Sequence, residues 1–244
     1  MTKPGRVKTL SPVMDPAHCR VAFAAASILL RYPDESLLED LPLVVGATGG
    51  LSSMTRSQFA ALTDHLASRC LLDLQSEYVA TFDLKRRCCL YLSYYLNGDT
   101  RRRGMALWQF QEAFRLAGFH VLGGELPDFI PALLELAATE GRETAIELLQ
   151  QHRAGIRVLL AALDDLSSPY AGVVRAIDSL LPAPVPGAIA NALLLAREGP
   201  PTELVGVEPR EAFDPYGSSG TCTTCVSGAA PGSGLVHLTG RRSS

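Results

Sequence analysis

Long stretches of alternating apolar and polar residues are missing from this sequence of 244 residues, and so is any internal repeat. Half-buried β-strands need such alternation, so an all-β architecture is excluded. The longest apolar run, residues 21–30, is far shorter than the ~20 residues of a membrane-spanning helix. It has the length of a signal-peptide core, but Asp15-Pro16 has the form of a helix cap and no cleavage-like segment follows the run. We therefore expect a soluble cytoplasmic protein without membrane insertion.

Catalytic motifs are missing as well. The sequence has no Gly-rich phosphate loop with its lysine, no His-Glu-x-x-His and no nucleophile elbow. Its 5 histidines are scattered, and none lies at helical ligand spacing from another. The net charge of −3 argues against a nucleic-acid binder that works through overall basicity. We therefore predict no enzymatic activity and no nucleic-acid partner. A small helical enzyme is kept as a third alternative that lacks a catalytic set, and the clustered basic residues still allow local basic patches.

The placement of the 6 cysteines does not indicate structural disulfides. Cys88 and Cys89 are neighbours in a predicted helix, where a disulfide between them would be badly strained. Cys19 and Cys70 lie in apolar helical stretches, so we expect both to be small core residues. This usage is typical of a reducing cytoplasm.

The remaining two cysteines form the motif Cys222-Thr-Thr-Cys225 in a Gly/Ser-rich segment. A structural zinc site needs four ligands, and there is no second cysteine pair, although His237 offers a third ligand. A redox Cys-x-x-Cys normally begins a helix, and this one does not. Cys222 and Cys225 are therefore weak metal candidates, and a metal- or redox-dependent protein is the alternative to the function developed below.

Helical periodicity, in contrast, runs through most of residues 15–198, which we predict to be one helical domain. Residues 1–14 form a basic N-terminal tail, and residues 199–244, rich in Gly, Pro and Ser, form a flexible C-terminal tail. The prediction is an all-α fold of eight or nine helices. Outside a central block at 78–119, the predicted helices are 16–31, 35–45, 57–71, 128–138, 142–163, 168–181 and 188–197.

The central block begins with Tyr78 and Phe82 on one helical face. Lys85 falls on that same face, which predicts a break near residues 83–84 and a new helix over 86–96 that is buried on most sides. Gly98 is expected to end this helix, and Asp99 or Thr100 to cap the next one.

The next helix carries three arginines in its first turn, where the helix dipole is positive. These are Arg101, Arg102 and Arg103, and Lys85, Arg86 and Arg87 begin the preceding helix. An anion should offset these charges. It is either an internal carboxylate such as Asp83 or Asp99, or an external phosphate or carboxylate bound at Arg101 and Arg103.

Several segments of the chain together resemble one known family. They are Tyr78-x-x-x-Phe82-Asp83, the run 90–95, Gly98-Asp99-Thr100-Arg101-x-Arg103-Gly104, Glu125-Leu126-Pro127-Asp128 with Pro131, and Leu29-Leu30-Arg31-Tyr32-Pro33. With these segments, residues 17–199 resemble the NarJ-type family, the dedicated assembly chaperones of respiratory nitrate reductase among the redox-enzyme maturation chaperones. One departure is Phe129, which stands where many members of that family carry histidine.

The resemblance implies an all-helical chaperone without catalytic chemistry. Its partner would be the N-terminal segment of the catalytic (molybdenum) subunit of nitrate reductase, with molybdenum cofactor biosynthesis proteins as further partners. It would support insertion of the molybdenum cofactor and of an iron–sulfur cluster before membrane docking, with transient contact to the molybdenum cofactor and no permanent cofactor.

The same resemblance assigns a set of client-peptide residues. They are Tyr78, Phe82, Asp83, Tyr91, Tyr94, Glu125, Pro127 and Asp128. The assignment is physically sensible, because an amphipathic peptide needs an apolar groove with some aromatic side chains, and a basic leader needs carboxylates at the rim.

Overall fold

The computed structural model describes residues 15–183 and the backbone of residues 238–240. These residues are almost entirely helical, which confirms the all-α prediction. The α-helices are α1 (Pro16–Leu29), α2 (Glu35–Thr48), α3 (Ser53–Ala67), α4 (Leu71–Tyr78), α5 (Leu92–Asn97), α6 (Arg101–Leu116), α7 (Ile130–Ala137), α8 (Arg142–Gln151), α9 (Arg153–Asp165) and α10 (Ala171–Leu180). In this part of the chain no helix has both the length and the apolar character needed to cross a bilayer.

Two short strands, which the sequence pattern did not predict, form an antiparallel pair. They are β1 (Phe119–Val121) and β2 (Leu238–Gly240), and Phe119 pairs with Gly240. β2 belongs to the predicted C-terminal tail. The rest of that tail, the predicted tail at 1–14 and the predicted helix at 188–197 lie outside the described residues, so the proposed domain boundaries stay a prediction.

The first three helices begin where side chains cap them. Asp15 accepts a hydrogen bond from the backbone N–H of Ala17 at 3.0 Å, and Asp34 accepts one from Leu37 at 2.7 Å. Ser52 caps α3 in the same way, so that α3 begins four residues before the predicted start. Each cap satisfies an N–H group that the first helical turn leaves without an intrahelical partner.

The centre of the core is α7, which is buried on nearly all sides. It begins at Ile130, two residues later than predicted, and Pro131 lies in its first turn, where a missing N–H costs nothing. Helices α1 and α8 pack directly against it, while α10 packs against α1, α3 and α9. A helix that is apolar all round needs neighbours of this kind.

The predicted long helix over 142–163 is wrong in one respect, because it breaks at His152 into α8 and α9. The change of direction lets the buried Arg153 place its Nε 2.6 Å from the Asp178 carboxylate in α10. It also brings Gly155 against the ring of Tyr95 in α5. Both contacts are between distant parts of the chain, so the helical periodicity of the sequence does not reveal the break.

The predicted helix over 86–96 is wrong in its first half. The predicted break is confirmed, because a π-helical turn, Val79–Asp83, ends there. A short 3-10 helix, Arg86–Cys88, and an extended segment then precede α5, which begins only at Leu92. Gly98 ends α5 with a φ of 57°, a backbone conformation that favours glycine.

Cysteine burial follows the prediction except at one position. Cys19 and Cys88 are buried, and Cys89 is partly buried. Cys70 is exposed, which contradicts its predicted place in the core. It lies at the extended residue before α4 rather than within a helix, so no apolar helical face carries its thiol inward.

Candidate functional site

The loop that follows β1 docks on the extended segment before α5. Backbone hydrogen bonds join the N–H of Leu92 to the carbonyl of Asp128 at 3.0 Å, and the N–H of Ile130 to the carbonyl of Leu90 at 2.9 Å. Between them Tyr91 and Phe129 form an isolated antiparallel bridge, with ring centroids 5.2 Å apart. The carbonyl of Leu90 and the N–H of Leu92 are thus bonded to the loop and are not available to the helix predicted over 86–96.

Asp128 is the fully buried centre of this junction. Its Oδ2 accepts hydrogen bonds from the backbone N–H of Ser93 at 3.1 Å and from the Ser93 hydroxyl at 2.5 Å. The carboxylate therefore bonds an N–H group that the first turn of α5 leaves without an intrahelical partner, and its negative charge complements the helix dipole. Its Oδ1 has no hydrogen-bond partner among the described residues, so the site keeps one buried acceptor unused.

Arg103 from α6 lies over this junction. Its Nε donates to the Ser93 hydroxyl at 3.3 Å, and its Nη1 lies 3.2 Å from the Asp99 carboxylate. The guanidinium carbon is 5.8 Å from the ring centroid of Tyr91 and 5.9 Å from that of Tyr94, distances at which cation–π attraction acts. We call Tyr91, Tyr94, Ser93, Asp99 and Arg103 the arginine cage.

Glu125 and Tyr91 close the outer side of the cage. The Tyr91 hydroxyl donates to Glu125 Oε1 at 3.0 Å, and the backbone N–H of Leu126 donates to the same oxygen at 2.9 Å. Burial, and then the neighbouring Glu125 carboxylate, raise the pKa of Tyr91 well above its usual value. The phenol therefore stays a hydrogen-bond donor at every physiological pH.

The structure brings four of the predicted client-peptide residues together and places two others in the core. Tyr91, Tyr94, Glu125 and Asp128 all lie at the arginine cage or directly beneath it. Pro127 is half-buried in the same loop, while Asp83 is exposed at the end of the π-helical turn. Burial raises the pKa of Asp83, because even this partial loss of water disfavours the charged form.

Tyr78 and Phe82, in contrast, belong to a buried aromatic cluster. Their ring centroids are 4.7 Å apart, and Phe82 meets Tyr170 of the α10 region edge to face at 4.9 Å. The Tyr78 hydroxyl donates to the carbonyl of Leu30 at 3.0 Å, and burial raises the pKa of this phenol. Both side chains are 5% exposed, so in this conformation they offer almost no surface to a peptide.

Sequence reasoning gave no role at the site to Ser93 or Arg86. Ser93 is a polar residue that is fully buried in an otherwise apolar stretch, and that isolation was the available signal. Arg86 hydrogen bonds to the Tyr94 side chain. Of the two arginines predicted to bind an anion, Arg103 lies in the cage, and Arg101 is exposed in the first turn of α6.

No group of His, Cys, Asp or Glu side chains within residues 15–183 is arranged to hold a metal ion. Cys222 and Cys225 lie outside the described residues, so their assignment as weak metal candidates stays a prediction.

The arrangement of the helices is shared with a protein of known structure. The structure superimposes with a TM-score of 0.51 on a putative redox enzyme maturation protein from Archaeoglobus fulgidus, over 71% of this chain and 96% of that one. The identity is 23%, so this is a likeness of fold. The model of the family described as nitrate reductase delta subunit matches residues 49–176. The chain belongs to that family, which confirms the family resemblance found in the sequence.

Curated relatives agree with the family. The chain is 36% identical over 161 residues to the nitrate reductase-like protein NarX of Mycobacterium tuberculosis, a match that spans 64% of this chain but only 24% of NarX. It is 29% identical to the probable nitrate reductase molybdenum cofactor assembly chaperone NarJ of Bacillus subtilis, over 65% of this chain and 86% of that protein. It is 28% identical to NarJ of Escherichia coli K12, over 62% and 65%.

Proposed function

We propose that this protein is an assembly chaperone of nitrate reductase that binds the N-terminal peptide of the catalytic subunit. It supports insertion of the molybdenum cofactor and an iron–sulfur cluster before the enzyme docks at the membrane. Membership of the delta subunit family and the names of the two NarJ relatives support the chaperone role. Those names describe assembly chaperones and not catalysts, in agreement with a protein that is not an enzyme.

The single observation that carries the peptide proposal is the environment of Arg103. One guanidinium is held there by a carboxylate, a hydroxyl and two tyrosine rings, with Glu125 and the unused Oδ1 of Asp128 nearby. Carboxylates and aromatic faces are the groups that bind arginine and lysine side chains in proteins. A basic, amphipathic leader peptide presents such side chains, so the rim of the cage suits it.

Tyr78 and Phe82 take a second role in this proposal. Both rings are buried in the cluster with Tyr170, so they would contact a client only after that cluster opens. In the conformation described above, they hold α4 and the π-helical turn against the start of α10.

Transient contact with the molybdenum cofactor belongs to the same proposal, at Arg101 and Arg103. Arg101 is exposed in the first turn of α6, and the partly buried Arg103 lies in the same turn. Such arginines suit a phosphate-bearing ligand, because guanidinium groups pair with phosphate in two hydrogen bonds. Molybdenum cofactor biosynthesis proteins are proposed as further partners, and the cytoplasm as the place of action.

The test is calorimetry with a synthetic peptide of the N-terminal residues of the catalytic subunit. We expect Glu125→Gln to weaken binding about tenfold, which is the size of one charge-assisted hydrogen bond. Glu140→Gln is the matched control, because Glu140 follows the C-terminal end of α7, is exposed and pairs only loosely with Arg20 at 3.5 Å. A tagged protein should also recover the catalytic subunit from cells, and equal recovery after deletion of the client's N-terminal segment would contradict the proposal.

A further inference from the structure

Five exposed cations form one surface next to the arginine cage. Lys85, Arg86 and Arg87 come from the 3-10 segment, and Arg101 and Arg102 from the first turn of α6; together we call them the basic face. The two segments converge on Tyr94, because Arg86 hydrogen bonds to its side chain and Arg103 lies over its ring at 5.9 Å. The fold thus unites two cationic stretches that are separate in the sequence.

This face differs in charge from the protein as a whole. The nearby exposed carboxylates are Asp83 and Asp99, and Asp99 is already paired with Arg103 at 3.2 Å. The whole chain has a net charge of −3. An anionic surface would therefore repel most of the protein and attract this face, which favours one orientation of docking.

Large apolar side chains stand beside these cations. Met105 and Trp108 are 63% and 58% exposed, and both lie on the solvent side of α6, opposite the buried Ala106, Phe110 and Phe114. Leu84, just before the 3-10 segment, is 75% exposed, and Leu96, in the last turn of α5, is 43% exposed. A helix on a protein surface normally carries polar side chains on its outer face. The outer face of α6 instead carries two large apolar side chains that are not packed in the core.

We propose that the basic face and these apolar side chains bind peripherally to the surface of an anionic lipid bilayer. The arginines would pair with lipid phosphates, while Trp108, Met105 and Leu96 would enter the boundary between headgroups and acyl chains. Indole rings favour that boundary, and basic residues near an anionic leaflet each strengthen binding roughly fivefold. An acidic polypeptide would match the arginines but not the outward-facing methionine and tryptophan, so the lipid surface accounts for more of the face. The proposal does not depend on which peptide the arginine cage binds.

The chain offers its own probe, because Trp108 is its one tryptophan. The experiment is fluorescence titration of the full chain with vesicles of phosphatidylcholine alone, or of phosphatidylcholine and phosphatidylglycerol in equal amounts. We expect a blue shift of the emission with the anionic vesicles only. The shift should disappear at about 1 M salt, where the screening length falls to ~3 Å.

Two pairs of matched variants locate the contact. Lys85→Gln with Arg102→Gln should weaken vesicle binding roughly 30-fold, as expected for two basic residues. Arg56→Gln with Arg69→Gln removes the same charge from the exposed surface at α3 and should leave binding within twofold. Met105→Gln should reduce the blue shift, whereas Met54→Gln, at a methionine that is 72% exposed on α3, should not.

Three results would overturn the proposal. The first is equal binding to neutral and anionic vesicles, or no binding to either kind. The second is an equal loss of vesicle binding in the basic-face variants and in the α3 controls. The third is a blue shift produced by polyglutamate in place of anionic vesicles. The last result would assign the face to an acidic polypeptide. Inorganic pyrophosphate serves as a competitor in the same titration. It should displace the protein from the vesicles only weakly, because it cannot contact the apolar side chains.

Discussion

Gly155 of α9 lies so close to Tyr95 of α5 that a Cβ on the glycine would come within 2.7 Å of the tyrosine ring. The Tyr95 hydroxyl donates to the carbonyls of Arg87 at 2.9 Å and Cys89 at 2.8 Å. The close approach of the two helices therefore positions the extended segment that leads to the arginine cage. A glycine in α9, far from the site in sequence, is in this way part of its support.

The first prediction follows from that contact. Gly155→Ala should lower the free energy of unfolding by about 1–3 kcal/mol, because overpacking outweighs the better helix propensity of alanine. Gly104→Ala in α6 is the control, since its Cβ would meet nothing within 4 Å and alanine should stabilise that helix by about 0.5–1 kcal/mol. Denaturant unfolding of both variants measures the difference, and equal stability of the two would refute the packing argument.

The second prediction concerns the buried pair of Asp128 and Ser93. Asp128→Ala removes the acceptor for two donors of Ser93, so it should cost about 2–4 kcal/mol of stability. Ser93→Ala removes only one of those donors and should cost less. In the double variant the two effects should not add, because both changes break the same hydrogen bond. Additive losses in a double-mutant cycle would show that the pair does not act as a unit.

Much of the helical framework was predictable because it depends on neighbours in the sequence. Asp15 and Asp34 cap their helices locally, Lys85 interrupts an apolar face, and Gly98 ends α5. One ion pair of the arginine cluster was also predictable. Asp99 lies one helical turn before Arg103, so its carboxylate can offset the charge of that arginine.

Two of the errors have a common cause, which is contact between distant parts of the chain. The extended backbone at Tyr91 is fixed by Phe129, 38 positions later by their numbering, and the break at His152 accompanies the pairing of Arg153 with Asp178. Apolar periodicity also cannot separate a binding groove from a core, because both need the same face of a helix. Tyr78 and Phe82 fit both, and the structure places them in the core. Their assignment to the client peptide came from the family resemblance and stays a prediction.

The third prediction is that Cys89 reacts slowly with alkylating agents. Burial raises the pKa of its thiol from 9.0 to about 11, so at pH 8 the thiolate is about 100-fold rarer than at the ordinary pKa. Iodoacetamide should therefore modify the exposed Cys70 first, as peptide mass spectrometry of the native protein can measure. Comparable rates at the two cysteines would contradict the burial of Cys89.

The same pKa shift gives a sign for stability against pH. Because the thiol titrates at a higher pH in the folded state, the unfolded chain loses its proton first as the pH rises. The contribution of Cys89 is therefore complete below about pH 9 and is lost as the pH approaches about 11. Cys89→Ala should remove this part of the decline, and an unchanged pH profile would contradict it.

The last prediction separates the two groups of residues assigned to peptide binding. Phe82→Ala should lower the free energy of unfolding by about 3–5 kcal/mol, because it leaves a cavity between Tyr78 and Tyr170. Tyr91→Ala removes a half-buried ring at the cage and its hydrogen bond to Glu125, so it should mainly weaken binding of the client peptide. Thermal unfolding and calorimetry on both variants measure the two effects. If Phe82→Ala abolished binding while its folded fraction stayed complete, the aromatic cluster itself would be the groove, and the cage would be only its support.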